Sequence, residues 1–225
     1  MIIFRWKNTT NAEKLTISLI SINTLVFVAW QFPKCHSFLS KHFTHSPIKN
    51  RPYTMLTATF SHENFLHFTF NMIALNSFLP LFQYSSGISN EQTLFFYLSA
   101  GVLSSLGSHL LSVFMPARAI VSSLGASGAI WGLLAACTYL RPQSQLGIVF
   151  LPGVHFRADE VLPLMMLVDA VGLVMRWQTF DHAAHLAGAI IGLIYVPYGI
   201  PFWSQVQTRL FNERRRSEEG GEYRK

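Results

Sequence analysis

The sequence predicts an all-α polytopic membrane protein of six spanning helices, and three observations carry that reading. Charged residues make up only 12% of the chain, where a soluble domain carries about 25%. Five stretches contain no Asp, Glu, Lys or Arg at all: 15–33, 64–90, 92–117, 119–140 and 182–208. Crossing a bilayer takes roughly 20 predominantly apolar residues, and each stretch supplies that length or close to it. A sixth candidate, 161–177, is apolar apart from Asp169 and Arg176. A large soluble helical core would need polar faces that these stretches lack.

Taken in order, a short N-terminal tail (1–14) precedes the bundle, which occupies 15–200, with its motif-bearing core from about 48, and a charged C-terminal tail (201–225) follows it. In the first tail Arg5, Lys7, Glu13 and Lys14 are too few and too mixed for a transit peptide, and the apolar run after them is too long for a signal peptide. The expected helices are 15–32, 64–83, 93–114, 120–140, 161–177 and 182–200. The connection 33–63 contains Pro33, Pro47 and Pro52 and so is not one helix. Its Phe38, Leu39, Phe43 and Tyr53 suit the membrane interface better than open solvent. An even number of spans puts both termini on one side. Eleven Lys and Arg residues fall there and six on the other side, so the positive-inside rule places the termini in the cytosol or matrix.

Net charge is +6, yet the basic residues are scattered among loops. The run Arg214 to Arg216 is followed by Glu218, Glu219 and Glu222, which fits a lipid surface rather than a nucleic-acid groove. Nucleic acid is therefore not an expected partner. Cys35 and Cys137 form neither a disulfide framework nor a metal-ligand spacing, and no metal or cofactor motif such as H-E-x-x-H occurs.

Polar groups inside a membrane are expensive and mark function. The second expected helix carries His67 and Asn71, with His62 at its entrance; the fourth carries Ser122, Ser123 and Ser127; the fifth has Asp169; the sixth opens with Asp181, His182 and His185. Helices two, four and six run in the same direction, so His67, Ser127 and His185, each near a helix start, share one depth in the membrane. A serine, two histidines and an asparagine at one depth have the makings of a nucleophile, a base and oxyanion donors. Singly, each has a plainer use: small residues let helices approach, serines bond their own backbone, and Asn71 or one histidine can act as helix glue. Gly128 and Gly132 form G-x-x-x-G, and Ala184, Gly188 and Gly192 recur along one face. Close packing of those faces brings Ser127 towards His185.

These residues resemble a known family. Gly125-Ala126-Ser127-Gly128 is similar to the G-x-S-G of rhomboid intramembrane serine proteases. Ala184-His185 with Gly188 and Gly192 matches their A-H-x-x-G-x-x-x-G, and His62, His67 and Asn71 match H-x(4)-H-x(3)-N. The wording around Tyr97 to Val102, Ser123 to Ala129 and Phe180 to Leu186 is similar to the mitochondrial presenilin-associated rhomboid-like subfamily. The resemblance runs from about residue 17 to 200 and implies a six-transmembrane-helix rhomboid bundle. It implies Ser127 as nucleophile and His185 as general base, His67 and Asn71 at oxyanion-stabilising positions, and Trp131 as a ring against the imidazole. Two features depart from the pattern. The Trp-Arg of the family's first loop is Asn50-Arg51 here, and no presequence or extra N-terminal helix of the kind usual in mitochondrial members is read in residues 1–14, as expected if the chain begins late or is targeted differently.

The implied reaction is endopeptidase cleavage of single-span proteins in or next to their transmembrane helix, through a Ser-His dyad and an acyl-enzyme, in the mitochondrial inner membrane and without a cofactor. Its rivals are a rhomboid pseudoprotease that binds transmembrane clients without cutting, and a transporter relaying protons through Asp169 and the histidines. If the fourth helix begins at Ser127 and ends near Leu140, it is about 21 Å long in a hydrocarbon core of about 30 Å. Its start then lies roughly 9 Å below the surface. Asp181 is expected to cap the sixth helix rather than complete a triad, and Asp169 to bond neighbouring helices.

Overall fold

The computed structural model describes residues 9–49, 51–114, 122–148 and 151–222; Arg5, Lys7, Asn50 and the 115–121 connection lie outside them. Helix α1 (Asn11–Trp30) starts at a capping box. The Thr10 hydroxyl accepts from the Glu13 amide at 3.2 Å, and the Glu13 carboxylate accepts from the Thr10 amide at 2.6 Å. Helix α2 (Pro33–His42) begins on Pro33, where a missing N–H costs nothing. A short α3 (Thr54–Thr57) and one 3₁₀ turn (Ala58–Phe60) follow. The 33–63 connection is therefore broken into pieces, as its prolines require.

Asn64 caps α4 (Phe65–Ser86) by accepting from Leu66 at 2.9 Å and His67 at 3.1 Å, and the helix ends on Gly87 at φ 68°. Helix α5 is Asn90–Phe114, and α6 is Ser127–Leu140. Helix α7 (Ala158–Val174) leads to α8 (His182–Ile194), then a π turn (Tyr195–Gly199) and α9 (Ile200–Glu222). The sequence predicts a fourth helix from 120, but residues 122–126 are irregular and the helix starts at Ser127. The sixth expected helix is interrupted because Pro197 cannot donate a backbone hydrogen bond, and the wider turn accommodates the gap. Two features were not legible from the sequence: the charged tail is helical, and an antiparallel hairpin of β1 (Gln145–Ile148) and β2 (Leu151–Arg157) joins α6 to α7.

The distribution of side chains is that of a membrane protein. Large apolar groups face outward, including Leu25 at 71%, Phe114 at 81% and Val174 at 75% exposed, while Asn23, Asp169 and His182 are buried. Helices α1, α4, α5 and the run 182–213 are each long and apolar enough to cross a bilayer, and α6 is a shorter apolar helix. The chain is an all-α polytopic membrane protein.

Helix α6 sits at the centre: every residue from Gly128 to Thr138 is buried. It packs most extensively on α8, and also on α4 and α5. A Cβ on Gly188 would overlap the Gly128 carbonyl oxygen, and one on Gly192 would overlap that of Gly132. The two backbones therefore touch, as small residues at four-residue intervals permit. Gly188→Ala and Gly192→Ala are each expected to destabilise the protein by about 1–3 kcal/mol, read as a lower midpoint of thermal unfolding in detergent. An unchanged midpoint would mean that the contact is looser than described.

Candidate active site

The irregular segment ahead of α6 is fixed by backbone bonds. Ser123 and His45 exchange amide-to-carbonyl bonds of 2.8 and 2.9 Å, the Gly125 amide donates to the Ala58 carbonyl at 2.9 Å, and the Ala126 amide donates to His62 Nε2 at 3.2 Å. Gly125 has φ 132°, a conformation that side chains rarely adopt, and a Cβ there would meet the His67 ring at 2.6 Å. This turn delivers Ser127 as the first residue of α6. The preceding cap is Ala126, which has no side-chain acceptor, so the first amides of α6 are not satisfied by a capping side chain.

His62 has to be neutral at Nε2 to accept from Ala126. Burial pushes its pKa down to about 3. A histidine held neutral on folding contributes stability that is complete above its unfolded value near 6.5 and is lost as pH falls towards 3. Between those limits wild type is expected to lose up to about 1.4 kcal/mol per pH unit relative to His62→Gln. Denaturation of both proteins at pH 7 and pH 4 checks this, and equal losses would contradict it.

The sequence-predicted residues meet around one cavity of about 1240 Å³, lined among others by His67, Asn71, Ser127, Trp131, Asp169 and His185. His67 and Asn71 reach it from α4, Ser127 and Trp131 from α6, and His185 from the first turn of α8. Ser127 Oγ lies 3.0 Å from His185 Nε2, within hydrogen-bond reach. The Trp131 ring stacks on the imidazole, with centroids 5.2 Å apart and planes at 21°. Asn71 Nδ2 donates to the His67 carbonyl at 2.7 Å, which leaves its second amide hydrogen for another acceptor. Arg51, beside the altered first-loop position, donates to the Lys41 carbonyl at 3.0 Å and ties the loop to α2.

Asp181 is the N-cap of α8, accepting from the Ala184 amide at 3.1 Å. Ser108 reaches both of its oxygens at 2.8 Å. If the site is proteolytic, the Asp181→Asn variant, which can still cap, is expected to keep cleavage within about tenfold, or about 1.4 kcal/mol; a loss near 10⁴-fold would make it a triad member.

The carboxylate that does approach the imidazole is Asp169, on α7. Its Oδ1 lies 3.2 Å from His185 Nδ1 and 2.5 Å from His182 Nδ1. Sequence reasoning placed Asp169 in the bundle without identifying these partners. The available signal was Gly172, one turn further along α7, where a Cβ would meet the His182 ring at 2.5 Å. Asp169, His182 and His185 are the one cluster of metal-ligand type among the described residues. The 2.5 Å Asp169–His182 spacing is that of a hydrogen bond. Two ligands of a tetrahedral zinc would stand about 3.3 Å apart.

Residues 49–202 match the Rhomboid domain family model. The chain is 37% identical over 215 residues to presenilin-associated rhomboid-like protein A, mitochondrial, of Danio rerio, covering 90% of this chain and 55% of that protein. The corresponding Homo sapiens protein is 36% identical over 219 residues, covering 90% and 56%. Rhomboid protein 1, mitochondrial, of Saccharomyces cerevisiae is 33% identical over 187 residues, covering 83% and 53%. The chain thus spans about half the length of the curated relatives it matches. By the family model and by these identities the chain belongs to the rhomboid family, in its mitochondrial presenilin-associated rhomboid-like group, as a multi-pass integral membrane protein of mitochondria.

Proposed function

We propose that the chain is an intramembrane serine endopeptidase that cleaves single-span proteins of the mitochondrial inner membrane in or beside their transmembrane helix. The observation that carries the reading is the 3.0 Å contact between Ser127 Oγ and His185 Nε2 at the start of α6. In the first half-reaction Ser127 Oγ bonds to the scissile carbonyl carbon while its proton passes to His185 Nε2. The oxyanion that forms is stabilised by the free amides at the start of α6, with side-chain donation from His67 and Asn71. The C–N bond then breaks, His185 returns the proton to the leaving amine, and an ester to Ser127 remains. Water adds to that ester with His185 again as base, releasing the acid and the serine.

The cavity supports this chemistry. Irregular backbone such as 122–126 is tolerated at membrane depth only beside protein or water, and hydrolysis needs that water. A substrate helix must unwind to present a carbonyl, so cleavage is expected next to helix-breaking residues.

The test is co-reconstitution of the protein in liposomes with a single-span substrate and mass spectrometry of the products. Wild type should release fragments cut in or near the span, and Ser127→Ala should release none. A substrate that is retained by the wild-type protein but never cut would replace this reading with that of a client-binding pseudoprotease.

A further inference from the structure

We infer that Asp169 is a positioning residue for His185, so that the site works as a Ser127–His185–Asp169 relay rather than with serine and histidine alone. The inference rests on the proposed proteolytic function and adds a third participant to it. The geometry is a continuous line of three side chains from three helices: α6 supplies Ser127, α8 supplies His185 and α7 supplies Asp169. The distances are 3.0 Å from Oγ to Nε2 and 3.2 Å from Nδ1 to Oδ1. Asp169 is 4% exposed and His185 is 8% exposed, so the Nδ1 contact is shielded from solvent.

The chemistry follows from proton bookkeeping on one ring. For Ser127 O–H to donate to Nε2, that nitrogen must be bare, and in a neutral imidazole the proton is then on Nδ1. An acceptor facing Nδ1 selects this tautomer, and Oδ1 of Asp169 is such an acceptor. When Ser127 gives up its proton the ring becomes imidazolium, and a carboxylate beside Nδ1 stabilises the positive charge. Asp169 is itself held in place. His182 donates Nδ1–H to the same Oδ1 at 2.5 Å, and its ring lies over Gly172, the α7 position where a side chain would collide with it. Trp131 fixes the plane of the His185 ring from the opposite helix. Stacking restrains tilt but does not choose between tautomers, so the ring surface and the carboxylate have separate tasks.

The competing assignment is a purely architectural one, in which Asp169 pins α7 to α8 through His182. The two differ in what they predict for His185. A positioning carboxylate acts on the transition state. Asp169→Asn should therefore lower kcat by between about 10²- and 10⁴-fold while KM stays within about threefold. In that variant the His185 proton should redistribute from Nδ1 towards Nε2, because a carboxamide can donate to Nδ1. An architectural pin predicts a lower unfolding midpoint with kcat of the folded fraction preserved, and no change of tautomer.

The experiment combines steady-state cleavage in liposomes by wild type, Ser127→Ala and Asp169→Asn with ¹⁵N NMR of histidine-labelled wild type, the His185 signals being assigned by their loss in His185→Ala. The expected result is a kcat loss in Asp169→Asn together with a protonated Nδ1 and a bare Nε2 on His185 of the wild type. Preserved kcat in folded Asp169→Asn would overturn the inference, and so would a wild-type His185 protonated on Nε2. If Asp169→Asn does not fold, the wild-type tautomer decides alone. The controls separate the two claims. Wild type that cleaves no substrate refutes the proteolytic reading, whereas cleavage by wild type that Asp169→Asn matches refutes only the role of Asp169.

Discussion

Ser127→Ala is expected to reduce kcat by about 10⁶-fold, equivalent to about 8 kcal/mol of transition-state stabilisation, with the fold intact. The side chain is small, starts a helix without capping it, and contributes one hydroxyl whose partner is His185 Nε2 at 3.0 Å. Removing that oxygen removes the proposed nucleophile and leaves the α6–α8 packing, built on Gly128, Gly132, Gly188 and Gly192, unchanged. His185→Ala should lose a comparable amount, and the double variant little more than either, because members of such a unit are not additive. The measurement is product formation per enzyme at saturating substrate, paired with the thermal unfolding midpoint. Losses that multiplied in the double variant would mean the two side chains act independently, against the direct contact.

The second large effect concerns the oxyanion. Asn71→Ala and His67→Ala are each expected to cost about 10²- to 10³-fold in kcat, or about 2.7–4 kcal/mol, with a far smaller change in KM. As proposed oxyanion donors, the two side chains act only when negative charge develops on the substrate oxygen, so their loss is expected in the transition state and not in ground-state binding. The two residues are four apart on α4, share the cavity with Ser127, and one amide hydrogen of Asn71 is already committed to the His67 carbonyl. That bond pre-orients the amide. His67 has a further role in packing against the Gly125 turn, so its removal should also lower the unfolding midpoint, whereas that of Asn71 should lower it less. A rise in KM at constant kcat would assign these side chains to substrate binding instead.

How much of this was legible from the sequence follows the range of the interactions involved. The helices were legible because uncharged stretches of membrane length leave the chain no other way to satisfy its backbone. The matched depth of Ser127, His185 and His67 followed from helix direction, and the glycine faces indicated which helices touch. The fourth helix is expected from 120, because the uncharged run carries no stop signal; the structure starts α6 at Ser127, where Gly125 at φ 132° breaks regular helix. Pro197 marked an interruption near Tyr195–Gly199 in the sequence, though not its π geometry, whereas the helical tail and the β1–β2 hairpin were not legible, since both depend on local backbone choices that carry no hydropathy signal. Asp169 was visible as a costly charge in an apolar helix. Its approach to Nδ1 of His185 depends on how α7 packs on α8 and on the rotamers of three side chains, which spacing along the chain does not encode.

The proposed function requires Ser127 to be a nucleophile activated by His185. Reaction of the membrane-embedded protein with a serine-directed fluorophosphonate, followed by mass spectrometry of the adduct, tests it most directly because no substrate has to be known. A single adduct is expected on Ser127, absent in Ser127→Ala and strongly slowed in His185→Ala. A folded wild-type protein that forms no adduct, or forms it on another serine, would contradict it.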